Sequence, residues 1–291
     1  LTAVAIDQPL AMGSQIAERG DVMAARRRSL KELAGDPQFI SGVYNYCDRW
    51  CERCPLTSRC FVYATEPQED VREPASRDIT NRAFWERLGE IFREAHEVLD
   101  EMLRERGIEL APLDPEAERE LARWHDDAWS HPCAVAADEY RGAVEAWFEQ
   151  AGPRFQERGE ELERQDRMGL PGADPEGDAR RLQDATEVIR WYQHQIAVKI
   201  MRAIGSAGSD GAIDPGLDCS DADGSAKAGL IGIDRSLAAW SEMLRQLPDD
   251  EDRILPLLAA LSRLRRDVEV TFPSARAFIR PGFDTGDVVA A

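Results

Sequence analysis

The stretch DARRLQDATEVIRWYQHQIAVKIMRAI, residues 178–204, decides the fold of this chain. Apolar residues recur in it at helical spacing. One stripe consists of Leu182, Ala185, Ile189, Ile196 and Ile200. A second stripe, on a different face, consists of Val188, Trp191 and Val198. A helix that is apolar on more than one side is usually central in a bundle, so this stretch predicts a helix surrounded by other helices.

Other segments have the same helical pattern. Residues 80–106 end at Gly107, a common helix terminator, and residues 154–167, 226–247 and 249–270 predict three more helices. No stretch alternates apolar and polar residues as a strand would. The sequence therefore predicts an all-α fold, a helical bundle of about five to six helices with an N-terminal cysteine-rich metal-binding loop. In 80–106 the apolar stripe consists of Phe84, Leu88, Ile91, Ala95, Val98 and Met102. In 249–270 it consists of Ile254, Leu258, Leu261, Leu264 and Val268.

Prolines and glycines predict where the remaining helices begin and end. Asp114 followed by Pro115 is typical of a helix start, and Pro132 should interrupt that helix. We expect the helix to resume after Pro132 and to end at Gly152 and Pro153. Two loops are predicted, at residues 169–177 and 205–225.

This pattern divides the chain into four parts joined by one linker. The polar residues 67–79 contain two prolines and predict the linker. The four parts are an N-terminal arm at 1–35, the cysteine-rich metal-binding loop at 36–66, the helical bundle at 80–272 and a C-terminal extended tail at 273–291.

Composition restricts the classes of function. The chain has 291 residues and a formal net charge of -19, so long-range repulsion argues against general nucleic-acid binding. No apolar run approaches the about 18 residues of a membrane span, and the opening residues lack the basic start of a secretory signal. Clustered thiols must stay reduced to bind metal. We therefore expect an acidic, cytoplasmic protein without membrane contact.

Four of the six cysteines lie in one short stretch. Cys47, Cys51, Cys54 and Cys60 have the spacing Cys-x3-Cys-x2-Cys-x5-Cys. Thiolates are soft ligands that suit zinc or iron–sulfur clusters, so these four side chains are the predicted metal and cofactor ligands. A single loop of this kind can hold either one tetrahedral ion or a cubane cluster, and spacing alone does not decide between them.

The local sequence favours the cluster. Residues 51–60, read as Cys-x2-Cys-Pro-Leu-x3-Cys, resemble the distal part of the [4Fe–4S] loop of endonuclease III-type DNA glycosylases. That family has six residues in the first gap, where this chain has three. The resemblance covers residues 47–60 alone and implies a [4Fe–4S] cofactor, with zinc as the alternative. It does not imply glycosylase chemistry, because too little chain precedes the loop for the family's helix-hairpin-helix.

Ligation by four thiolates leaves no iron open to a substrate. This favours a redox role, electron transfer or redox sensing, with another protein as partner. The acidic surface would suit a basic patch on that partner. The alternative is a helical interaction module in which zinc or a cluster is purely structural.

A weaker alternative is an enzyme with a pocket inside the bundle. Glu187, Trp191 and His194 follow one another at helical spacing and share a face. If that face were interior, its ionisable side chains would need partners, and such groups concentrate at functional sites. An internal salt-bridge network would explain the same residues. The residues of this possible pocket are Glu187, Arg190, Trp191, His194 and Lys199.

Overall fold

The computed structural model describes residues 35–65, 131–208 and 220–284, together with part of the residues between 89 and 130. The described residues are helical, turn or irregular, without a strand, so the all-α prediction is confirmed for them. They belong to two compact units. One contains residues 35–41 and the described part of 55–112, and the other contains Gly42–Cys54 and the described part of Leu113–Ala291.

Five helices have defined bounds. The shortest is α1 (Phe61–Thr65), and the longer four are α2 (Pro132–Met168), α3 (Pro175–Gly208), α4 (Ser220–Gln246) and α5 (Glu251–Thr271). Single 3₁₀ turns lie at Cys51–Arg53, Thr57–Arg59, Pro248–Asp250 and Ala275–Ala277. None of the described helices is both long and apolar enough to cross a membrane.

The unit that contains α1 has few described residues. The ring of Phe39 meets that of Phe61 edge to face at 6.1 Å, and the amide of Ile40 donates to the carbonyl of Arg59 at 3.0 Å. The described residues of 89–105 are helical, and Gly107 has a φ of +66°, so the predicted helix end is confirmed. The apolar stripe of that helix, the arm at 1–34 and the linker at 67–79 lie outside the described residues.

In the other unit, α2 to α5 form an antiparallel bundle. Helix α3 packs against α2 and α4, and α5 packs against α2 and α4. The first apolar stripe of α3 is confirmed, because Leu182, Ala185, Ile189, Ile196 and Ile200 are all buried. The second stripe is half-buried at Val188 and Trp191 but exposed at Val198. Helix α3 is therefore buried along one broad face and not on all sides.

Helix α2 begins as predicted and ends later than predicted. Pro132 occupies its first turn, and the Nδ1 atom of His131 accepts from the amide of Cys133 at 3.1 Å. The predicted end at Gly152 and Pro153 is wrong, because the helix continues to Met168. An internal proline costs about 3 kcal/mol. Burial of the α2 residues on either side of this site offsets that cost, and these are Trp147, Ala151 and Leu162.

The predicted loop at 205–225 is also wrong in its bounds. Helix α3 continues to Gly208 and α4 begins at Ser220, so Gly224 lies inside a helix. A Cβ atom at Gly224 would lie 2.5 Å from the ring of Tyr46 and 2.8 Å from that of Phe278. Glycine at position 224 therefore lets the rings of Tyr46 and Phe278 pack closely on α4, and it does not mark a turn. Asp221 and Asp223 in the first turn favour the helix start.

Small residues also bring α4 close to α3. A Cβ atom at Gly232 would lie 2.9 Å from the ring of Tyr192, and one at Gly229 would lie 3.4 Å from Ile200. The stripe of α5 is buried as predicted except that Leu257 replaces Leu258 as the buried residue. After α5, the tail turns at Ala275–Ala277 and packs on α4.

Candidate metal centre

The four candidate ligands lie on short, non-periodic backbone. Cys51 opens the 3₁₀ turn Cys51–Arg53, and the amide of Cys54 donates to the carbonyl of Cys51 at 3.2 Å. The Sγ atom of Cys47 donates to the carbonyl of Tyr44 at 3.5 Å. Cys60 belongs to the other compact unit and follows the turn Thr57–Arg59. All four are partly exposed and form no disulfide, so their thiols are chemically available.

The described residues contain no group of three or more His, Cys, Asp or Glu side chains arranged to hold a metal ion. The four-cysteine ligand set therefore stays a prediction that rests on the spacing and donor chemistry of the cysteines. The second unit does define the surroundings of three of its members. Cys133, outside the set, is buried as expected and its Sγ lies 3.6 Å from the hydroxyl of Thr271.

We call Gly42–Cys54 the cysteine segment. It runs antiparallel to α3 over roughly 27 Å, the length of the helix from residue 184 to residue 202. At one end, the carbonyl of Asn45 accepts from Lys199 Nζ at 3.3 Å and from Arg202 Nη1 at 3.2 Å. This is the first of three anchors between the segment and α3.

The second anchor surrounds Asp48. Its carboxylate accepts from the hydroxyl of Tyr192 and from Arg235 Nη1 of α4, the latter at 2.6 Å. Its carbonyl accepts from Trp191 Nε1 at 2.9 Å. The ring of Trp50 stacks on that of Trp191 with centroids 5.0 Å apart. Burial, followed by the neighbouring Asp48 carboxylate, raises the pKa of Tyr192 far above its ordinary value, so its hydroxyl remains a donor.

The third anchor is the guanidinium of Arg53. It donates to Asp184 and Glu187 of α3, each at 2.6 Å, and lies 4.0 Å from the ring centroid of Trp50. Hydrogen bonds from Gln183 and from Arg53 lower the pKa of Glu187. Both acids and the arginine are partly exposed, so this anchor contributes less stability than its short distances suggest.

Helix α4 holds the start of the segment through Asp221. This carboxylate accepts from the hydroxyl of Tyr46 at 3.2 Å, from Arg202 at 2.5 Å and from Ser206 at 2.6 Å. Burial opposes ionisation of Asp221, but the bonds from Arg202 and Ser206 outweigh it and lower the pKa. The ring of Phe278 from the tail packs edge to face on Tyr46 at 4.8 Å. The segment therefore lies between α3, α4 and the tail.

Lys199 carries a buried positive charge beside the segment. It is 7% exposed, and in the described part of the chain no carboxylate lies within ion-pair distance of its ammonium. Burial lowers the pKa of Lys199, and the nearby Arg202 and Arg49 lower it further, whereas Cys47 and the carboxylate of Asp48 act in the opposite direction. Arg49 is exposed and has a φ of +59°, unusual for a residue with a side chain. One buried cation, Lys199, therefore lies near Cys47.

The possible pocket inside the bundle is not formed. Glu187, Arg190 and His194 are exposed, so the premise that their helix face is interior is wrong. Arg190 lies over the ring of Phe148 at 4.1 Å, and a ring nitrogen of His194 lies 3.2 Å from Gln193 Nε2. The other two residues of the prediction, Trp191 and Lys199, belong to the anchors of the cysteine segment.

Sequence reasoning missed the residues that position the segment. Asp48, Tyr192, Arg235 and Asp221 come from three separate stretches, and no spacing rule connects them. One signal was present: Tyr192 is a polar residue next to the apolar stripe of α3, and a buried tyrosine usually has a hydrogen-bond partner.

Comparison with known protein families, curated proteins and solved structures gives no match for this chain.

Proposed function

We propose that this chain is an iron–sulfur protein with a redox role, electron transfer or redox sensing. Cys47, Cys51, Cys54 and Cys60 would each hold one iron of a [4Fe–4S] cluster. Their spacing and the resemblance of residues 51–60 to the endonuclease III-type loop support the cluster type. The donor chemistry fits, since all four thiols are partly exposed and none is in a disulfide.

The observation that carries the proposal is the charge around Cys47. Lys199 is buried, its ammonium donates to the carbonyl of Asn45, and the neighbours that favour its charge are Cys47 and Asp48. A buried cation that forms no direct ion pair is unfavourable. A cubane held by four thiolates carries net negative charge, so it would add to the counter-charge that Asp48 supplies to Lys199.

The chain's own residues have three parts in this role. The thiols would hold the cluster, and the stacked rings of Trp50 and Trp191 would limit the access of water beside Cys51. The ammonium of Lys199 would raise the reduction potential, because nearby positive charge favours the reduced, more negative cluster. When bound, the cluster would accept one electron from a partner and pass it on without breaking a bond.

A redox titration of the protein purified without oxygen tests this function. We expect a reversible one-electron couple. Lys199→Met should lower the midpoint potential, whereas Lys199→Arg, which keeps the charge, should leave it close to the wild-type value. A cluster with no reversible couple would remove the redox role.

If the cluster had no reversible couple, a purely structural metal would remain as the alternative. Zinc or a cluster would then only stabilise the loop of a helical interaction module. The three anchors weigh against this alternative, since they already fix Gly42–Cys54 on α3 by other contacts. Metal removal that melts the whole fold would favour it instead.

A further inference from the structure

The cysteine segment fills only part of the surface between α3 and α4. It contacts these helices from Arg202 and Asp221 up to Asp184 and Arg235. Beyond Asp184 and Arg235 the two helices enclose an open groove of about 560 Å³. We call the whole surface the α3–α4 channel. The open groove is continuous with the interface that the same two helices make with the cysteine segment.

The floor of the groove is apolar and made of small side chains. Ala185 and Val188 contribute from α3, and Ala238 and Ala239 contribute from α4. Small side chains leave space for a flat ring between two helices. In the filled part of the channel, α3 also holds a flat ring, since the ring of Trp50 stacks on that of Trp191.

The acidic side chains of the groove are already paired. Asp184 binds Arg53 at 2.6 Å, and Glu242 binds Arg245 at 2.6 Å. Neither carboxylate therefore offers a strong site for a cation.

The cationic side chain of Arg180 is much less engaged. It forms an ion pair with Glu176 at 3.6 Å, and the two side chains are 72% and 82% exposed. Pairs of this kind contribute little, so an incoming anion can replace Glu176 at small cost. At the opposite end of the groove, Arg235 binds the carboxylate of Asp48, so one arginine of this channel already pairs with a carboxylate.

We infer that the open groove binds a small ligand that combines a flat apolar ring with a carboxylate. The ring would lie on the alanines and Val188, and the carboxylate would bind Arg180. The groove volume lies within the range of small-molecule sites, which occur between the helices of bundles. This site does not depend on the metal.

Titration with indole-3-propionate, followed by amide chemical shifts of the full chain, tests the inference. We expect saturable shifts at the groove residues, with a dissociation constant of about 1 mM or below. The neutral indole-3-propionamide should bind at least about fivefold more weakly, as expected for loss of a charge-assisted hydrogen bond. Arg180→Ala should weaken binding of the acid and leave binding of the amide unchanged.

Two alanine variants separate the groove from the rest of the surface. Ala238→Phe places a ring in the open groove at an exposed position and should abolish binding. Ala259→Phe makes the same change at an exposed position of α5 and should leave binding unchanged. No saturable binding by the wild type, or equal binding by wild type and Ala238→Phe, would overturn the inference.

Discussion

Helix α3 and the cysteine segment lie against each other, yet different forces hold them in place. The helix buries a periodic apolar stripe, and four of its residues, Ile189, Ile196, Ile200 and Ala203, are 0% exposed. The segment buries mainly Val43 and depends on polar anchors at Asn45, Asp48 and Arg53. Burial of apolar surface stabilises the whole fold, whereas partly exposed polar contacts fix local geometry.

This difference implies two levels of stability. Loss of an apolar side chain from α3 should lower the free energy of unfolding of the bundle. Loss of an anchor should release the segment and change the environment of Cys47, Cys51 and Cys54 while the bundle stays folded.

The largest expected effect is in the core of α3. Ile196→Ala should lower the free energy of unfolding by about 2–5 kcal/mol, because it leaves a cavity at a fully buried position. Urea unfolding measures it. Val198→Ala on the exposed face of the same helix should change stability by no more than about 0.5 kcal/mol. Equal losses in both variants would contradict the burial of this stripe.

The packing of Tyr46 on α4 gives the next effect. Gly224→Ala would place a Cβ atom 2.5 Å from the Tyr46 ring, so overpacking should cost about 1–3 kcal/mol despite the better helix propensity. Gly142→Ala in α2 is the matched control, since nothing lies within 4 Å of its Cβ position. That variant should gain about 0.5–1 kcal/mol. A gain in both variants would mean that Tyr46 does not pack there.

The second anchor tests local release directly. Asp48→Ala leaves Tyr192 and Arg235 without their acceptor and should weaken the attachment of the segment by about 1–3 kcal/mol. Alkylation of Cys47 and Cys51 in metal-free protein should then be about tenfold faster or more. Glu52→Ala, an exposed acid of the same segment, should leave the rate unchanged. Unchanged alkylation in Asp48→Ala would show that this anchor does not hold the segment.

The smallest effect is a pH dependence at Asp221. The folded protein lowers the pKa of Asp221 below its unfolded value, so the stabilisation is fully present above the unfolded value of about 3.9. It is lost as the pH falls through the folded pKa. Wild type should therefore be more stable than Asp221→Asn at pH 6, and the difference should shrink below about pH 4. A stability difference between the two proteins that grows as the pH falls would contradict a lowered pKa of Asp221.

Much of the fold could be predicted because burial in a helix is periodic. The stripes of α3 and α5 followed from spacing, and the breaks at Gly107 and Pro132 followed from backbone chemistry. Gly152 and Pro153 misled the prediction because packing of neighbouring α2 residues outweighs the cost of the proline. Gly224 resembled a turn residue, although it is small because Tyr46 packs on it.

Of the candidate site, only the cysteine ligands could be predicted from the sequence. Four clustered cysteines are visible in any reading of the sequence, but the buried cation near Cys47 is Lys199, which lies about 150 residues further along the chain. Helical spacing placed Glu187 and His194 on one face and could not tell whether that face was interior. Such pairings are set by tertiary contacts and have no local signal.

Metal analysis with a visible absorption spectrum, on protein purified without oxygen, tests the central claim most directly. The account predicts a brown protein with about four irons and about four sulfides per chain. Single Cys→Ser variants at positions 47, 51, 54 and 60 should lose most of this iron, whereas Cys133→Ala should retain it. A colourless protein with about one zinc per chain would contradict the iron–sulfur assignment and leave a metal-stabilised helical module.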